Sequence, residues 1–392
     1  MKGSFTHVII LEEPYISELL LDTIRDLELE VLGNEVARNS GLEERHLLDE
    51  KAFIQRFQAG PKFPLYTNSE NSIPWIQANL AFSDLPDRIE TFKDKARFRN
   101  LLRPLFPHFW YKEVAFEELA LLDIAEFPKP FILKPATGFL SLGVYTIDNN
   151  QAWEVALSQI STLRHKLQSQ FPTEVVNFET FLLEEYAEGE EYAIDVYYNS
   201  SGHPVILNIL KHEFASETDV RDRLYMTSKD IIEANLQKFQ DFLNDIGGLT
   251  SLVNLPLHVE VRVNEIGEIF PIEFNPMRFA GWCTTDIAYY AYGLNVYEYF
   301  WKQKQPVWEE LLKGKEDKIF SIVVGDIPPH QGQVSKVDYQ QFTRSFAKPL
   351  AIREMDYQKY GLFAFAFTET KRSERSELDR ILRTDYKEFI KF

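Results

Sequence analysis

The residues with the strongest chemical signal in this sequence are two acids in a predicted β-hairpin. Residues 257–263 alternate between apolar and polar side chains, as in a half-buried strand, and Glu260 lies on the polar side. A four-residue link, 265–268, leads to a second strand in which Glu273 and Asn275 share a face. The pattern therefore predicts a polar face that carries oxygen ligands on two neighbouring strands.

This hairpin pairs Asn264 with Ile269 and thus places Glu260 directly opposite Glu273. Two carboxylates that face each other across a ladder repel and destabilise the strand pair. A divalent cation between them would remove the repulsion. Their oxygens, with the side-chain carbonyl of Asn275, suit Mg²⁺, which also binds substrate phosphates. The alternative is a solvated hairpin whose acids form ion pairs with neighbouring basic residues, and the residues alone leave both interpretations open.

A lysine at the end of an apolar strand is a candidate for phosphate binding. Lys134 follows the apolar run 131–133 and precedes a loop of small residues, 135–143, that contains two glycines. Such a loop can present backbone N–H groups and hydroxyls to phosphate oxygens. The sequence is not a Walker A motif, because the lysine precedes the loop. The alternative is an ordinary β-turn.

The third candidate segment is an acidic turn after the predicted strand 181–184. The chain leaves this strand at Glu184 and turns at Gly189. An extended hinge here would offer backbone groups to the edge of an adenine ring, and a nearby carboxylate could accept the ribose hydroxyls. The alternative is an acidic turn at the protein surface.

The composition excludes some partners and locations. Sixty acidic residues against 42 basic ones give a net charge of −18, which argues against nucleic acid or an anionic membrane as the partner. Cys283 is the single cysteine, so no intrachain disulfide can form, and we expect it to be packed rather than reactive. No secretory signal is visible and no run approaches the ~18 apolar residues of a membrane span, so a cytoplasmic location is expected.

The beginning of the chain predicts a small parallel sheet. Strand patterns at 8–11, 29–32 and 65–67 are combined with helical spacing at 16–29. This is a βαβ arrangement. No Gly-x-Gly-x-x-Gly follows the first strand, so a dinucleotide site is not supported.

The rest of the chain predicts further lobes, as the length of 392 residues requires. A single helix is predicted over 89–102, and 213–229 is expected to be loop-rich because it is polar and mixed in charge. We expect a leading α/β domain over 1–90, a central domain over 91–314 that divides near residue 180, and a C-terminal lobe over 315–392. The last lobe would either help to cap a substrate site or simply complete the core, and the second is favoured.

Taken in order, the three chemical segments resemble the ATP-grasp family, which includes D-alanine–D-alanine ligase, biotin carboxylase and amino-acid ligases. The resemblance extends over residues 90–300, and the segment 66–70 also resembles the family's leading domain. It implies the ATP-grasp fold, of class α/β (α+β), with a leading βαβ domain and a C-terminal lobe. It also implies that the site binds ATP with Mg²⁺, or with Mn²⁺ in its place.

The resemblance assigns ATP contacts to all three segments. The adenine would be held by the Glu185 carbonyl and the Ala187 amide. Glu191 would bind the ribose, with Glu184 alongside. The residues implied for the phosphates are Lys95, Lys134, Thr137, Gly138 and Ser141. The basic residue that reaches the γ-phosphate is left open among three candidates, Lys211, Arg221 and Arg223.

The resemblance also maps the metal ligands onto Glu260, Glu273 and Asn275, in agreement with the hairpin. Family members often carry Asn-Pro-Arg after the metal strand, whereas this sequence places Arg278 one residue later. Arg278 is the candidate catalytic residue, which would hold the substrate carboxylate or its acyl phosphate.

The function that the resemblance implies is ATP-dependent ligation of a carboxylate to an amine, with release of ADP. The partners would be small-molecule substrates, with no nucleic acid and no membrane. Related enzymes are often dimers, so a homodimer is compatible with the resemblance. The alternatives are a carboxylase similar to biotin carboxylase and a non-catalytic nucleotide-binding module. No Ala-Met-Lys-Met attachment sequence for biotin is present, and the metal and lysine positions are retained, which favours the ligase.

Overall fold

The computed structural model describes residues 8–58, 64–137, 143–167, 177–216, 221–328 and 334–391. Over these residues a parallel sheet near the N-terminus is followed by antiparallel sheets and by helices that pack on them. This mixed α/β architecture confirms the predicted fold class. Among the described helices, none combines the length and the apolar character needed to cross a lipid bilayer.

A four-stranded parallel sheet forms the N-terminal region. The elements are β1 (Val8–Ile10), α1 (Glu18–Asp26), β2 (Glu30–Leu32), α2 (Glu35–Asn39), β3 (Leu47–Leu48), α3 (Glu50–Gln58), β4 (Leu65–Thr67) and α4 (Ile73–Asn79). The strand order is β3-β2-β1-β4, so β1 is an inner strand, and its apolar residues are fully buried. The predicted βαβ pattern is therefore confirmed.

A four-stranded antiparallel sheet follows. The elements of this region are α5 (Leu85–Lys93), α6 (Lys95–Leu102), β5 (Tyr111–Ala115), α7 (Phe116–Leu119), β6 (Phe131–Thr137), β7 (Tyr145–Ile147), α8 (Asn150–Leu167) and β8 (Asn177–Glu185). The strand order is β5-β8-β6-β7. Lys134 pairs with Leu182 and Ile132 with Glu184, so the lysine and the acid are diagonal neighbours on adjacent strands.

The single helix predicted over 89–102 is wrong, because the structure has two helices there. The chain becomes extended at Asp94, with φ −80° and ψ 107°, between α5 and α6. The Asp94 carboxylate accepts hydrogen bonds from the amides of Ala96 (2.9 Å) and Arg97 (3.0 Å). A carboxylate that caps the first turn stabilises a new helix start, which explains the break.

An eight-stranded antiparallel sheet dominates the rest of the chain. Its first part contains β9 (Glu190–Tyr198), β10 (Pro204–Glu213), β11 (Leu224–Ser228), α9 (Lys229–Thr250), β12 (Leu255–Val263), β13 (Ile269–Pro276), α10 (Ile287–Tyr292), α11 (Val296–Trp301) and α12 (Trp308–Leu311). The expectation that 213–229 is loop-rich is wrong for β11, which pairs with β10 on one side. Four of the five residues of β11 are buried, and the polar residues around this short strand hid it in the sequence.

The register of the β12–β13 hairpin differs from the predicted one in two places. The ladder ends with Val263 opposite Ile269, so the predicted pairing of Asn264 with Ile269 is wrong and the connection is one residue longer. The register then shifts by one at Ile272, and Glu260 lies opposite Glu273. The predicted carboxylate pair is confirmed because the longer connection and the bulge compensate for each other.

The C-terminal strands continue the same large sheet. The elements are β14 (Lys318–Asp326), β15 (Lys336–Val337), α13 (Tyr339–Arg344), β16 (Pro349–Glu354), α14 (Tyr357–Tyr360), β17 (Leu362–Lys371), α15 (Ser376–Arg383) and β18 (Ile390–Lys391). The strand order is β13-β12-β9-β10-β11-β14-β17-β16. Most C-terminal apolar side chains form their own cluster beside this sheet. The division into 1–90, 91–314 and 315–392 stays a prediction.

Candidate functional site

A cleft of about 1220 Å³ opens between the antiparallel sheets and the N-terminal region. It is lined by Lys95 and Lys134, by the turn 184–191, and by residues of the β12–β13 hairpin. The three chemical segments of the sequence therefore meet in one cavity. Residues of the N-terminal region and of the C-terminal strands complete its wall.

Lys134 and Glu184 form a buried ion pair inside this cleft. The Glu184 carboxylate also accepts a hydrogen bond from Arg99 Nε at 2.7 Å. Burial alone would raise the pKa of Glu184, but the charges of Arg99 and Lys134 outweigh it and lower this pKa to about 2. Burial lowers the pKa of Lys134 to about 8, although Glu184 opposes the shift. Lys134 is the central residue of β6, so the prediction that it ends the strand is wrong, and its ammonium is paired with the Glu184 carboxylate.

Lys95 lies beside the metal segment, as does a second lysine that the sequence interpretation missed. Lys95 Nζ is 3.4 Å from Glu273 Oε1, and Lys93 Nζ is 3.8 Å from the same oxygen. Lys93 is also 3.5 Å from Asn275 Oδ1. Asp94 separates the two lysines and starts a new helix, so both can approach one carboxylate. A recognisable cap residue between them was the available signal in the sequence.

Glu260 and Glu273 have opposite pKa shifts. Burial and the charge of Glu273 raise the pKa of Glu260 well above its usual value. Burial would also raise the pKa of Glu273, but the charges of Lys95 and Lys93 outweigh it and lower this pKa. The electrostatics therefore leave Glu260 without enough positive charge nearby to favour its ionised form.

The hairpin brings two carboxylates and one amide together. Asn275 is two residues beyond Glu273 and pairs with His258, whose Nδ1 is 2.8 Å from the buried Asp195. Within the described part of the chain, no group of three or more His, Cys, Asp or Glu side chains could hold a metal ion. The ligand set expected from the sequence contains only two such residues, Glu260 and Glu273, with the amide of Asn275 as the third.

Arg262 forms hydrogen bonds with two residues of the turn 184–191. Its guanidinium donates to the Ala187 carbonyl at 3.0 Å and to Glu191 at 3.1 Å. Glu191 also lies 2.9 Å from His212 Nδ1. Burial would raise the pKa of Glu191, but His212 and Arg262 outweigh it and lower this pKa. The carboxylate expected at the ribose is therefore ionised and already has two basic partners.

The turn begins at the end of β8, an inner strand of its sheet. The Glu185 amide donates to the Trp110 carbonyl at 3.0 Å, and the Glu185 carboxylate accepts from the Trp110 amide at 2.9 Å. Both Glu185 and Ala187 line the cleft. The hinge expected for adenine is thus part of the cavity, and its first residue, Glu185, is fixed to Trp110 by two hydrogen bonds.

The remaining candidates for phosphate binding differ in whether they line the cleft. Thr137 ends β6 but is not among the residues that line the cleft, and Gly138 and Ser141 lie outside the described residues. Lys211 lines the cleft and is 2.5 Å from Glu190. Arg223 instead lies 2.9 Å from Asp326, with its guanidinium also bonded to carbonyls near the C-terminus.

Arg278 is paired with an acid that was not assigned a role in the sequence. Its Nη2 and Nε lie 2.5 and 3.0 Å from Glu70 Oε1. Glu70 Oε2 accepts from Lys93 at 2.5 Å. Burial would raise the pKa of Glu70, but Lys93 and Arg278 outweigh it and lower this pKa far below its usual value. Glu70 thus ties the N-terminal region to the candidate catalytic arginine.

Cys283 is a packing residue in the structure, as expected. It is 1% exposed, and burial raises the pKa of its thiol to about 11. A thiol with this pKa is almost entirely protonated near neutral pH and is a weak nucleophile.

Comparisons with known proteins identify the fold around this cleft. Residues 127–286 match the family model described as an ATP-grasp domain. A comparison with curated protein sequences finds no significant match. The matched segment contains Lys134, the turn 184–191 and the β12–β13 hairpin. Residues 127–286 are therefore identified as an ATP-grasp domain.

Solved structures of similar fold extend over nearly the whole chain. An L-amino acid ligase from Bacillus licheniformis has 17% identity and a TM-score of 0.66, with 98% of each chain covered. An N5-carboxyaminoimidazole ribonucleotide synthetase from Thermotoga maritima has 15% identity and a TM-score of 0.63, covering 98% of this chain and 99% of that one. A biotin carboxylase from Campylobacter jejuni, in complex with βγ-ATP, has 12% identity and a TM-score of 0.61, covering 93% and 87%. At these identities the likeness establishes the fold.

The predicted ATP-grasp fold is thus confirmed. Members of this family are ATP-dependent ligases and carboxylases, and ATP-grasp domains bind ATP with Mg²⁺. The chain contains such a domain.

Proposed function

We propose that this protein is an ATP-dependent ligase that joins a carboxylate to an amine and releases ADP and phosphate. The observation that carries the proposal is the placement of Glu260 and Glu273 face to face in the cleft that Lys95, Lys134 and Arg278 also line. The resemblance to an L-amino acid ligase over the full length of both chains favours this reaction class.

The residues present fit a divalent cation. Glu260 is half-buried, and its pKa is raised by this burial and by the Glu273 carboxylate opposite it. A cation bound by both carboxylates would remove the repulsion between them. Glu260, Glu273 and the Asn275 amide oxygen would hold Mg²⁺, or Mn²⁺, since these are hard oxygen ligands. When bound, the cation would neutralise charge on the nucleotide phosphates.

The remaining nucleotide contacts in this proposal are those that the sequence resemblance implies. Lys134 and Lys95 would place their ammonium groups on the phosphates. The Glu185 carbonyl and the Ala187 amide would pair with the adenine edge. Glu191 would accept the ribose hydroxyls, with its carboxylate kept ionised by Arg262 and His212. Thr137, Gly138 and Ser141 stay candidates for closing over the phosphates.

The chemistry assigned to this chain is charge stabilisation and exclusion of water. An oxygen of the substrate carboxylate forms a bond to the γ-phosphorus of ATP while the bond to ADP breaks. The amine nitrogen then forms the C–N bond, phosphate leaves, and the amine loses a proton to solvent. Arg278 would hold the carboxylate oxygen in the first step and the oxyanion in the second. Glu70 pairs with this guanidinium when no substrate is bound.

A coupled assay of ADP release tests this function. Purified protein with Mg²⁺ and ATP is supplied with pools of amino acids and small carboxylates, with and without amines and bicarbonate. The ligase predicts ADP release that requires both a carboxylate and an amine, together with an amide product detected by mass spectrometry. ADP release that requires bicarbonate instead would support a carboxylase. Nucleotide binding without any turnover would support a binding module and contradict the ligase. The cytoplasmic location and the homodimer stay predictions from the sequence.

A further inference from the structure

One end of the cleft has an aromatic wall that the nucleotide contacts do not use. Trp282 lies edge to face on Tyr360, with ring centroids 4.9 Å apart, and its ring centroid is 5.8 Å from that of Phe365. All three residues line the cleft. Trp282 and Tyr360 are half-buried, whereas Phe365 is buried. We call these three residues the aromatic wall.

The aromatic wall is built by two distant parts of the chain. Trp282 follows the metal strand β13, whereas Tyr360 and Phe365 belong to the C-terminal α14 and β17. The C-terminal residues therefore contribute to the cleft and do not only complete the core. The less favoured expectation from the sequence, that this lobe helps to cap the substrate site, agrees with this placement.

Trp282 is held in an unfavourable backbone conformation. Its φ of 57° lies in the left-handed region, and so does the φ of 54° at Cys283. Bulky residues seldom adopt this conformation, and it persists only where surrounding contacts enforce it. Here Arg353 donates hydrogen bonds to the carbonyls of Trp282 (3.1 Å) and Cys283 (2.9 Å) and pairs with Asp286 at 2.5 Å.

This arrangement fixes a large aromatic side chain at the cleft at a cost in backbone strain. A residue with φ above zero that served only as packing could be replaced by glycine with less strain. The same arginine is held in place by its buried ion pair with Asp286. Strain that is enforced in this way is typical of functional positions.

The same cleft offers both charges that an α-amino acid requires. Arg278 and Glu70 line the same cleft and are ion-paired with each other at 2.5 Å. Arg278 Nη1 lies 3.8 Å from where a Cβ of Gly281, the residue before Trp282, would be. A zwitterion could exchange into this pair, with its carboxylate on Arg278 and its ammonium on Glu70. Each charge of the protein would then keep a partner of opposite sign, so binding would not leave a buried charge unpaired.

We propose that the substrate whose carboxylate is activated is an α-amino acid with an aromatic side chain, and that this side chain packs on Trp282, Tyr360 and Phe365. Aromatic rings pack favourably edge to face at centroid distances such as those within the wall. This inference rests on the proposed ligase function for the activation step, but the binding of the amino acid can be measured separately.

Fluorine NMR of protein labelled with fluorinated tryptophan tests the binding. The chain has six tryptophans, and the Trp282 signal is assigned by its loss in Trp282→Phe. With Mg²⁺ and a non-hydrolysable ATP analogue present, titration with L-phenylalanine is expected to shift this signal saturably. L-alanine and L-aspartate are expected to leave it in place. A Trp282 signal that moves with the nucleotide and with no amino acid would overturn the proposal.

Steady-state kinetics provide the second measurement. Tyr360→Ala, which leaves the strained backbone unchanged, is expected to raise the KM for L-phenylalanine by about tenfold or more while the KM for ATP stays the same. The matched control is Trp308→Phe, because Trp308 packs on Tyr292 away from the cleft lining. Equal use of alanine and phenylalanine by the wild type would contradict the aromatic specificity.

The two proposals can fail separately. If L-phenylalanine shifts the Trp282 signal but no amine yields ADP, the ligase is contradicted and the binding pocket is supported. If ADP release requires a carboxylate and an amine but never an aromatic amino acid, the ligase is supported and the pocket assignment is wrong.

Discussion

Glu260 lies directly opposite Glu273 across the β12–β13 ladder, and a register shift at Ile272 puts it there. The two acids differ in their surroundings, because Lys93 and Lys95 lie near Glu273 whereas His258 Nε2 is 3.7 Å from Glu260. One carboxylate is thus balanced by lysines of the N-terminal half, and the other faces the cleft with 30% of its side chain exposed. A cation in the cleft could therefore reach the pair from the side of Glu260.

Glu273→Gln is expected to lower ADP release by about 100-fold or more, because the cation would lose an anionic ligand in the transition state. The fold should remain, since the substitution also removes the repulsion with Glu260. The measurements are ADP release and the increase in melting temperature on addition of Mg²⁺ with a non-hydrolysable ATP analogue.

The matched control for this substitution is Glu265→Gln, at an exposed position in the connection of the same hairpin. It changes the net charge by the same amount and should leave both measurements unchanged. Normal turnover by a folded Glu273→Gln protein would contradict the metal assignment.

The pairing of Glu260 with Glu273 shows which features of the hairpin could be predicted from the sequence and which could not. Alternation of apolar and polar residues identified the correct faces of both strands. The connection length and the bulge could not be predicted, because a bulge depends on contacts elsewhere: Arg99 of α6 donates to the Pro271 carbonyl at 2.7 Å, next to Ile272. Two register errors cancelled, and the pairing of the acids was predicted correctly only for that reason.

The part of the site that the sequence did not reveal is its network of ion pairs. Glu70 and Arg278 are 208 residues apart in the chain, and Lys93 joins them to Glu273. A charged residue in a helical pattern is usually solvated, so the cap at Asp94 signals a new helix but not the burial of Lys93 or Arg99. Their burial is a consequence of the tertiary fold. The segments predicted to bind the nucleotide, by contrast, are each continuous in sequence, so their residue patterns could be recognised without the structure.

Glu184→Gln is expected to destabilise the protein by about 3 kcal/mol, because it leaves the buried Lys134 and Arg99 charges without their acid. The measurement is the free energy of unfolding in urea at pH 7. The control is Glu179→Gln, which breaks the more exposed pair with Arg164 on the same strand. That change should cost less than about 1 kcal/mol. Equal effects of the two substitutions would show that burial of the pair is unimportant.

The contribution of Glu184 is expected to depend on pH in a defined window. Its pKa is lowered from 4.5 to about 2 in the folded state, so the unfolded chain binds a proton first as the pH falls. The stability from ionised Glu184 is therefore fully present above pH 4.5 and is lost as the pH falls from 4.5 towards 2. The difference in unfolding free energy between wild type and Glu184→Gln should be constant from pH 7 to pH 5 and smaller at pH 3.5. A difference that grows on acidification would contradict the assigned direction.

The last prediction concerns the turn that would hold the adenine. Gly189 has a φ of +116°, and a Cβ at this position would lie 2.1 Å from the Val263 carbonyl oxygen. The Val263 carbonyl cannot easily move away, because Val263 is paired with Glu190 in the β9–β12 ladder. Gly189→Ala must therefore move the turn away from β12, and Ala187 and Glu191 would move with it. We expect weaker binding of the ATP analogue by calorimetry, by about tenfold or more, since a shift of about 1 Å in a binding element has effects of this order.

Gly248→Ala is the control for this substitution. Gly248 lies in α9, where nothing is within 4 Å of an added Cβ. Alanine there should leave nucleotide binding unchanged and should stabilise the helix by up to about 1 kcal/mol, because glycine is the poorer helix former. If Gly189→Ala bound the ATP analogue as tightly as Gly248→Ala does, the turn 184–191 would not be the adenine site, because its geometry would then be irrelevant to nucleotide affinity.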